Sequence, residues 1–152
     1  MKLSTKGRYG LRAMIDLARY SETDPVSIST IASRQMISEG YLEQLVALLK
    51  KAGLVKSIRG ASGGYVLTRS TDEISVGDIL RALEGDLEPV KCSAFSSEEG
   101  CAVSDACVTK YVWQKINDSI NKTVDEMKLS ELVENSKLIN PTGESEEHQC
   151  NK

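Results

Sequence analysis

Hydrophobic residues in the first third of the chain recur at helical spacing in three separate stretches. The first stretch follows Ser4 and the second follows Ser27, and serine is a preferred N-cap residue. A short break at residues 36–37 precedes a third stretch, EGYLEQLVALLKK, which Ser38 can cap and which Gly53 ends. The pattern therefore predicts three helices, the last two joined by the tight turn of a helix-turn-helix.

From Leu54 onwards the spacing of hydrophobic residues changes from helical to alternating. The segments LVKSI and YVLTR flank the glycine-rich stretch RGASGG, an arrangement that predicts a β-hairpin. Ser75 and Asp78 then form a possible capping box for a fourth helix, which ends at Gly85. The predicted fold class is therefore mostly α with a small β-hairpin wing, a winged helix-turn-helix.

A polar loop without periodicity, residues 86–106, separates this domain from a long predicted helix with an apolar stripe. The stripe recurs every four residues at Val108, Val112, Ile116, Ile120 and Val124. A single helix cannot bury such a stripe, so it packs either on its own N-terminal domain or on a second copy of the chain. We predict a two-fold homodimer held by this helix. Ser130 is expected to cap a last short helix, SELVEN.

The net charge of −3 conceals a strong division of charge along the chain. Residues 1–70 carry 11 basic and 5 acidic side chains, whereas residues 71–152 carry 8 basic and 17 acidic side chains. A basic winged helix favours double-stranded DNA as the partner, although uneven surface composition is an alternative explanation. The chain has no apolar run long enough for a signal peptide or a membrane span, which predicts a cytoplasmic protein without a membrane partner.

The start of the third helix, ISEGYLEQL, is where a helix-turn-helix reads base edges. The predicted DNA contacts in this helix are Ser38, Gly40, Tyr41, Glu43 and Gln44. Gln44 can pair with adenine, whereas Glu43 either accepts from cytosine or is an ordinary solvated charge. Arg59 at the hairpin tip is predicted to enter the minor groove, and Lys6 is among the side chains expected to contact phosphate.

Three cysteines lie close together in KCSAFSSEEGCAVSDACVTK, at Cys92, Cys101 and Cys107. The close cysteine pairs typical of zinc sites are absent from the sequence, and its one histidine, His148, belongs to the polar C-terminal stretch. An iron–sulfur cluster fits the loose spacing best, while zinc, a redox thiol switch and inert cysteines are alternatives. Cys150 is expected to be a free thiol. Because no nucleophile–base pair is recognisable, the protein is not predicted to be an enzyme.

Four features together resemble the iron–sulfur cluster regulator (IscR) family of winged-helix transcription factors. They are MKLSTKGRYG, ISEGYLEQL, LVKSIRGASGGYVL and the three cysteines before a long helix, and the resemblance covers residues 1 to about 140. It implies a homodimer with one 2Fe–2S cluster per subunit that recognises semi-palindromic promoter sites. It also implies that the residues matching Ser38, Tyr41, Glu43, Gln44 and Arg59 read DNA.

The fourth cluster ligand departs from this family's pattern. The position of the histidine ligand in enterobacterial members is Lys110 here, and an ammonium group has no lone pair to donate. The position of the aspartate ligand in nitric-oxide-sensing relatives is Arg8. A carboxylate is therefore expected, with Glu43 as the first candidate because it would couple the cluster to the DNA surface. The loop offers three further candidates, of which Asp105 is the runner-up: Glu98, Glu99 and Asp105.

The expected organisation is a DNA-binding domain over 1–85, a cluster-binding loop over 86–107, dimerisation and short terminal helices over 108–138, and a disordered tail over 139–152. The expected function is repression, chiefly of genes for cluster assembly, in response to iron–sulfur status. A nitric-oxide-sensing repressor and a cysteine-metabolism repressor are alternatives with the same fold. A metal-binding interaction protein without a DNA role is the alternative from a different class.

Overall fold

Six helices and one two-stranded sheet make up the part of the chain that the computed structural model describes, residues 3–90 and 106–143. In chain order they are α1 (Thr5–Tyr20), α2 (Ile28–Gln35), α3 (Glu39–Lys51), β1 (Val55–Ile58), β2 (Gly64–Leu67), α4 (Val76–Glu84), α5 (Thr109–Glu126) and α6 (Leu129–Ile139). The predicted fold class, a winged helix-turn-helix followed by a long helix, is confirmed.

The first four helices begin at the serines that the sequence predicts. Ser4, Ser27, Ser38 and Ser75 each accept a hydrogen bond from a backbone N–H two or three residues further along, which satisfies a donor that the helix itself leaves open. The reciprocal bond from the Ser75 backbone to Asp78 completes the predicted capping box. These boundaries follow from local sequence because each cap is made within three residues.

The start of the last helix differs from the prediction that Ser130 caps it. The N-cap of α6 is Lys128, and the helix continues to Ile139. The reason is tertiary: the N–H of Leu129 donates to the Ile74 carbonyl at 2.9 Å, and the N–H of Ser130 donates to the Thr71 carbonyl at 3.2 Å. These carbonyls, from the segment before α4, satisfy donors that a side-chain cap would otherwise serve.

The core lies between α1, α3, α4 and α6, with α2 against one side. Its most deeply buried side chains include Met14, Ile31, Leu42, Leu45, Leu49, Ile79 and Leu129. After α6, Arg19 of α1 donates to the carbonyls of Asn140 at 2.6 Å and Pro141 at 3.2 Å, which holds the start of the predicted tail against α1. Residues 144–152 of that tail, with His148 and Cys150, lie outside the described residues.

The wing is an antiparallel pair of strands that is also tied to the start of the helix-turn-helix. β1 and β2 pair from Val55 with Leu67 to Ile58 with Gly64. Val26, just before α2, exchanges backbone hydrogen bonds with Tyr65 at 2.8 and 3.0 Å. A Cβ atom at Gly64 would lie 2.6 Å from the Val26 backbone, so glycine permits this close approach.

Only part of the α5 stripe packs against the N-terminal domain. Ile120 and Val124 contact a small cluster formed by Val76, Leu80 and Leu87. The N-terminal half of the helix is open: Val108, Tyr111, Val112 and Ile116 are 79%, 73%, 51% and 39% exposed. Packing within one chain therefore accounts for one half of the stripe and leaves the other half without cover in the described residues.

Candidate nucleic-acid interface and cysteine site

The outer face of α3 carries the side chains that the sequence predicts to read DNA. Ser38, Gly40, Glu43 and Gln44 are exposed, because the apolar stripe of the helix turns the opposite face into the core. A Cβ atom at Gly40 would meet nothing within 4 Å, so the backbone there is open to a close partner. The helix thus presents a polar surface of the size that fits a major groove.

Tyr41 joins this face to the N-terminus of α1. Its hydroxyl donates to Thr5 Oγ1 at 3.2 Å, and its ring meets the edge of the Tyr9 ring with centroids 6.1 Å apart at 87°. Lys6 is exposed in the same first turn of α1. The N-termini of α1 and α3 therefore lie together beside an exposed lysine, whose ammonium group is available to a phosphate.

Sequence reasoning did not identify Thr5 and Tyr9 as parts of this surface. Tyr9 falls on the apolar stripe of α1, so periodicity describes it only as a core residue. Thr5 is an ordinary first-turn residue in the sequence. Nothing local indicates that both would meet Tyr41, which lies 36 residues from Thr5.

A buried ion pair locks α2 against α1. Arg34 donates to Asp16 through Nε to Oδ2 at 2.9 Å and through a terminal nitrogen to Oδ1 at 2.6 Å, while the Asp16 side chain is only 2% exposed. Gln35 donates to the same carboxylate at 2.8 Å, and Arg12 donates to the Gln35 side chain at 3.1 Å. The hydrogen bonds to Asp16 raise the pKa of Arg34. An acid within an apolar stripe is the sequence signal that could have indicated this lock, since buried acids are almost always paired.

The wing tip stands in a defined position relative to α3. Lys50, in the last turn of α3, donates to the Ser57 hydroxyl of β1 at 3.0 Å. Arg59 follows β1 and is exposed at the tip, and Gly60 beside it has a positive φ of 120°, which glycine adopts without strain. The predicted minor-groove arginine is therefore free to extend from a wing that is fixed to the recognition helix.

Of the three cysteines predicted to bind the cluster, Cys107 is the one that lies within the described residues, just before α5. Its sulfur is 3.1 Å from Thr109 Oγ1, and the Thr109 hydroxyl together with the Lys110 backbone N–H lowers the pKa of the thiol. A lowered pKa favours the thiolate, which is the form that binds iron. The chemistry of this donor therefore fits the expected cluster, whereas Cys92, Cys101, Asp105 and the two loop glutamates lie outside the described residues.

The Glu43 side chain is exposed on α3 and forms no hydrogen bond or ion pair with another described residue. Across residues 3–90 and 106–143, no three or more cysteine, histidine, aspartate or glutamate side chains gather as metal ligands. The role of Glu43 as a fourth ligand therefore stays a prediction.

None of the helices in those two ranges has the length and hydrophobicity needed to cross a membrane.

Comparison with known proteins identifies relatives over the whole chain. The Rrf2 family, described as iron-dependent transcriptional regulators, matches residues 3–135. The HTH-type transcriptional regulator IscR of Enterobacter sp. (strain 638) is 37% identical over 152 residues, which span all of this chain and 91% of the relative.

Two solved structures share the fold at higher identity. T. potens IscR is 45% identical with a TM-score of 0.73, and the match covers 92% of this chain and 91% of that chain. CymR, the global cysteine regulator of B. subtilis, is 44% identical with a TM-score of 0.73, and the match covers 89% and 98%. Because the family match spans most of the chain and includes both the helix-turn-helix and the long helix, the protein belongs to the Rrf2 family of DNA-binding transcriptional regulators, which are not enzymes.

Proposed function

We propose that this regulator is a homodimeric repressor that senses iron–sulfur status through one 2Fe–2S cluster per subunit and controls genes of cluster assembly. The observation that carries the DNA part is the exposure of the outer face of α3, which is hydrogen-bonded to the N-terminus of α1 through Tyr41 and to the wing through Lys50. The similarity to proteins named IscR supports the cluster part.

The surface suits a semi-palindromic DNA site read by two copies of the chain. Gln44 and Glu43 of α3 face outwards, where an amide can pair with adenine and a carboxylate can accept from cytosine. Ser38 and Lys6 offer a hydroxyl and an ammonium group to phosphate, Tyr41 lies beside them with its hydroxyl bonded to Thr5, and Gly40 lets the backbone come close. Arg59, exposed at the wing tip, is proposed to enter the adjoining minor groove.

This proposal predicts two different effects on binding to a duplex selected from a random pool with the wild-type protein. Gln44→Ala should weaken discrimination at one base pair of each half-site by about 1–3 kcal/mol, because only the base-specific pair is lost. Arg59→Ala should weaken binding and make it less dependent on salt, because a cation near phosphates is removed. Mobility-shift titrations at several salt concentrations measure both.

Lys122→Ala is the matched control for Arg59→Ala, since Lys122 is an exposed cation on α5, away from the proposed surface. It should leave the affinity and the salt dependence unchanged. If Arg59→Ala behaves like Lys122→Ala, the wing is not part of the interface. If Gln44→Ala keeps the wild-type base preference, α3 does not read the site through this side chain.

For the cluster, the proposed ligands are Cys92, Cys101 and Cys107, with Glu43 of the same or the partner chain as the fourth and Asp105 as the runner-up. When bound, the cluster supplies a redox-sensitive group whose presence or loss distinguishes two states of the protein. Glu43 contributes the coupling in this proposal. Held as a ligand, its carboxylate is withdrawn from the DNA surface, and once released it faces the bases on the exposed side of α3.

Cys107→Ala is expected to abolish the visible absorption of protein purified without oxygen and to bring the iron and sulfide contents close to zero. Removing one of three thiolates leaves too few strong ligands to retain iron. Glu43→Ala should leave the cluster detectable but shorten its lifetime in air. Cys150→Ala and Glu39→Ala are the matched controls, and both should resemble wild type. A normal spectrum for Cys107→Ala contradicts the cluster site, and a normal lifetime for Glu43→Ala contradicts this fourth ligand.

A second candidate function is repression of cysteine metabolism, favoured by the similarity to CymR at 44% identity over most of both chains. In that case the cysteine loop need not bind iron. The two candidates differ in one measurement, the DNA affinity of protein with and without a reconstituted cluster. An affinity or base preference that changes with cluster content supports cluster sensing, whereas unchanged binding by cluster-free protein favours the cysteine regulator.

The proposed dimer forms through the open half of α5. Val112, Ile116 and Ile120 line a shallow groove of about 440 Å³ together with the side chains of Lys115 and Ser119. An exposed apolar stripe of this kind is typical of a surface that another protein covers. A second copy of the chain is the natural occupant, because a semi-palindromic DNA site requires two recognition helices related by a two-fold axis.

A further inference from the structure

The N-terminus of α1 is capped by a carboxylate from a distant helix. No acidic residue lies in the first turn of α1. Glu84, the last residue of α4, supplies the missing charge: its Oε1 accepts from the Ser4 N–H at 2.9 Å, the Ser4 hydroxyl at 2.6 Å and the Gly7 N–H at 2.9 Å. Burial raises the pKa of Glu84, but the bonds from Ser4 and Gly7 outweigh it and hold the pKa below its usual value.

The fit between Glu84 and α1 depends on the absence of a side chain at Gly7. A Cβ atom there would lie 2.7 Å from Glu84 Oε1 and 3.3 Å from its Cγ. Both atoms belong to the outer part of a flexible side chain, so an added methyl group would displace the carboxylate rather than the backbone. A substitution at Gly7 would therefore disturb the contact between Glu84 and α1 without changing Glu84 itself.

The capped end of α1 is also the part of α1 that touches the recognition helix. Thr5 is the first residue of α1, directly after Ser4, and it accepts the hydrogen bond from the Tyr41 hydroxyl at 3.2 Å. Glu84 therefore fixes the position of Ser4, and the next residue, Thr5, accepts the hydrogen bond from Tyr41. Only one backbone step separates the Ser4 groups bound by Glu84 from the Thr5 group bound by Tyr41.

The helix that carries Glu84 is also fastened to α5. Arg81, three residues before Glu84, donates to both carboxylate oxygens of Asp125 at 2.6 and 3.1 Å and to Asn121 at 2.6 Å. α4 therefore contacts α5 through Arg81 and the start of α1 through Glu84. α4 thereby links α5 to the end of α1 that touches α3.

We infer that Glu84 is a positioning residue for DNA recognition, which sets the placement of Tyr41 through its cap on Ser4 and the neighbouring Thr5. This role rests on the DNA surface proposed above and adds to it a residue that does not itself face DNA. Because Glu84 is an acid and neutralises no phosphate, its loss should weaken binding without lowering the salt dependence of binding. Loss of an ordinary phosphate-binding cation, in contrast, lowers both the affinity and the salt dependence of binding.

The test is a double-mutant cycle on binding of the full-length protein to the duplex selected by wild type. Glu84→Ala should weaken binding about five- to tenfold, which lies within the roughly two- to thirtyfold range of coupling through packed elements. In a Tyr41→Phe background the same change should have less than a twofold effect, because the hydroxyl that transmits it is gone. In a Gln44→Ala background the full factor should remain, since Gln44 has no contact with α1.

Ser75→Ala is the control for general loss of stability, because it removes the cap of α4 at the end distant from Glu84. It should leave DNA binding within twofold of wild type at a temperature where both proteins are folded. Gly7→Ala is the second probe: it should weaken binding as Glu84→Ala does, although alanine favours the helix. Glu84→Met, which keeps the length of the side chain but has no oxygen acceptor, replaces Glu84→Ala if the alanine variant does not fold.

The outcomes separate this inference from the DNA surface itself. If Glu84→Ala and Tyr41→Phe are additive, or if Ser75→Ala weakens binding as much as Glu84→Ala, Glu84 acts only on stability and the inference is overturned. If neither Tyr41→Phe nor Gln44→Ala weakens binding, the proposed surface is wrong and the inference falls with it. Coupling restricted to the Tyr41 background supports the positioning role.

Discussion

Replacing Ile116 with glutamate is expected to leave the protein monomeric and to weaken binding to a two-half-site duplex by about 100-fold or more. Ile116 lies in the open apolar groove of α5, where a second copy would bury it. A carboxylate in that interface would lose water without gaining a partner. A monomer holds only one half-site, so the second recognition helix loses the advantage of being tethered to the first. Sedimentation and mobility-shift titrations measure the two effects.

The matched control for this change is Lys122→Glu, which introduces the same acid on the same helix. Lys122 is exposed and pairs only weakly with Glu126, at 3.9 Å, outside the apolar groove. This variant should remain dimeric and bind DNA as wild type does. Thermal melts of both variants verify that α5 still packs on α4 through Ile120 and Val124. A folded Ile116→Glu protein that is still dimeric rules out the proposed interface.

Replacing Asp16 with alanine is expected to lower the free energy of unfolding by about 3 kcal/mol. The Asp16 side chain is almost fully buried and accepts hydrogen bonds from both Arg34 and Gln35, so its removal leaves these donors without their partner. The Arg34 side chain is 23% exposed, and its guanidinium also lies 4.1 Å from the Tyr20 ring centroid. Partial access to water should keep the loss at the lower end of the range for broken buried pairs. Urea denaturation measures the change.

The comparison for Asp16→Ala is Glu126→Ala, which breaks an exposed ion pair and should change stability by no more than about 0.5 kcal/mol. An Asp16 and Arg34 double-mutant cycle then isolates the pair, since replacing both partners should cost less than the sum of the single changes. Equal effects of Asp16→Ala and Glu126→Ala would show that the lock between α1 and α2 carries no energy. A loss of DNA binding beyond the loss of folded protein would show that the lock also sets the angle between α2 and α3.

The sequence by itself determined the helices and hairpin of the DNA-binding domain and the outward face of α3. These features depend on interactions over a few residues: Ser38 caps α3 through the N–H of Tyr41, and the stripe of Leu42, Leu45 and Leu49 fixes which side is exposed. The same local reasoning failed at α6, because the donors at its start bond to carbonyls of Thr71 and Ile74, more than fifty residues away. Periodicity also identified the α5 stripe but not that half of it packs on α4.

Only the tertiary structure decided how the proposed DNA-reading face of α3 is supported by the other helices. The carboxylate of Glu84 reaches Ser4 across 80 positions, Tyr41 reaches Thr5 across 36, and Arg34 reaches Asp16 across 18. Each contact joins polar groups on two different helices. Periodicity identifies such a group merely as a helix residue and does not predict its partner. Local propensity acts over three or four residues, whereas these partners meet only after the apolar stripes of α1, α3 and α4 have packed. The reading face of α3 was therefore encoded locally, and its support by α1, α2 and α4 emerged from packing.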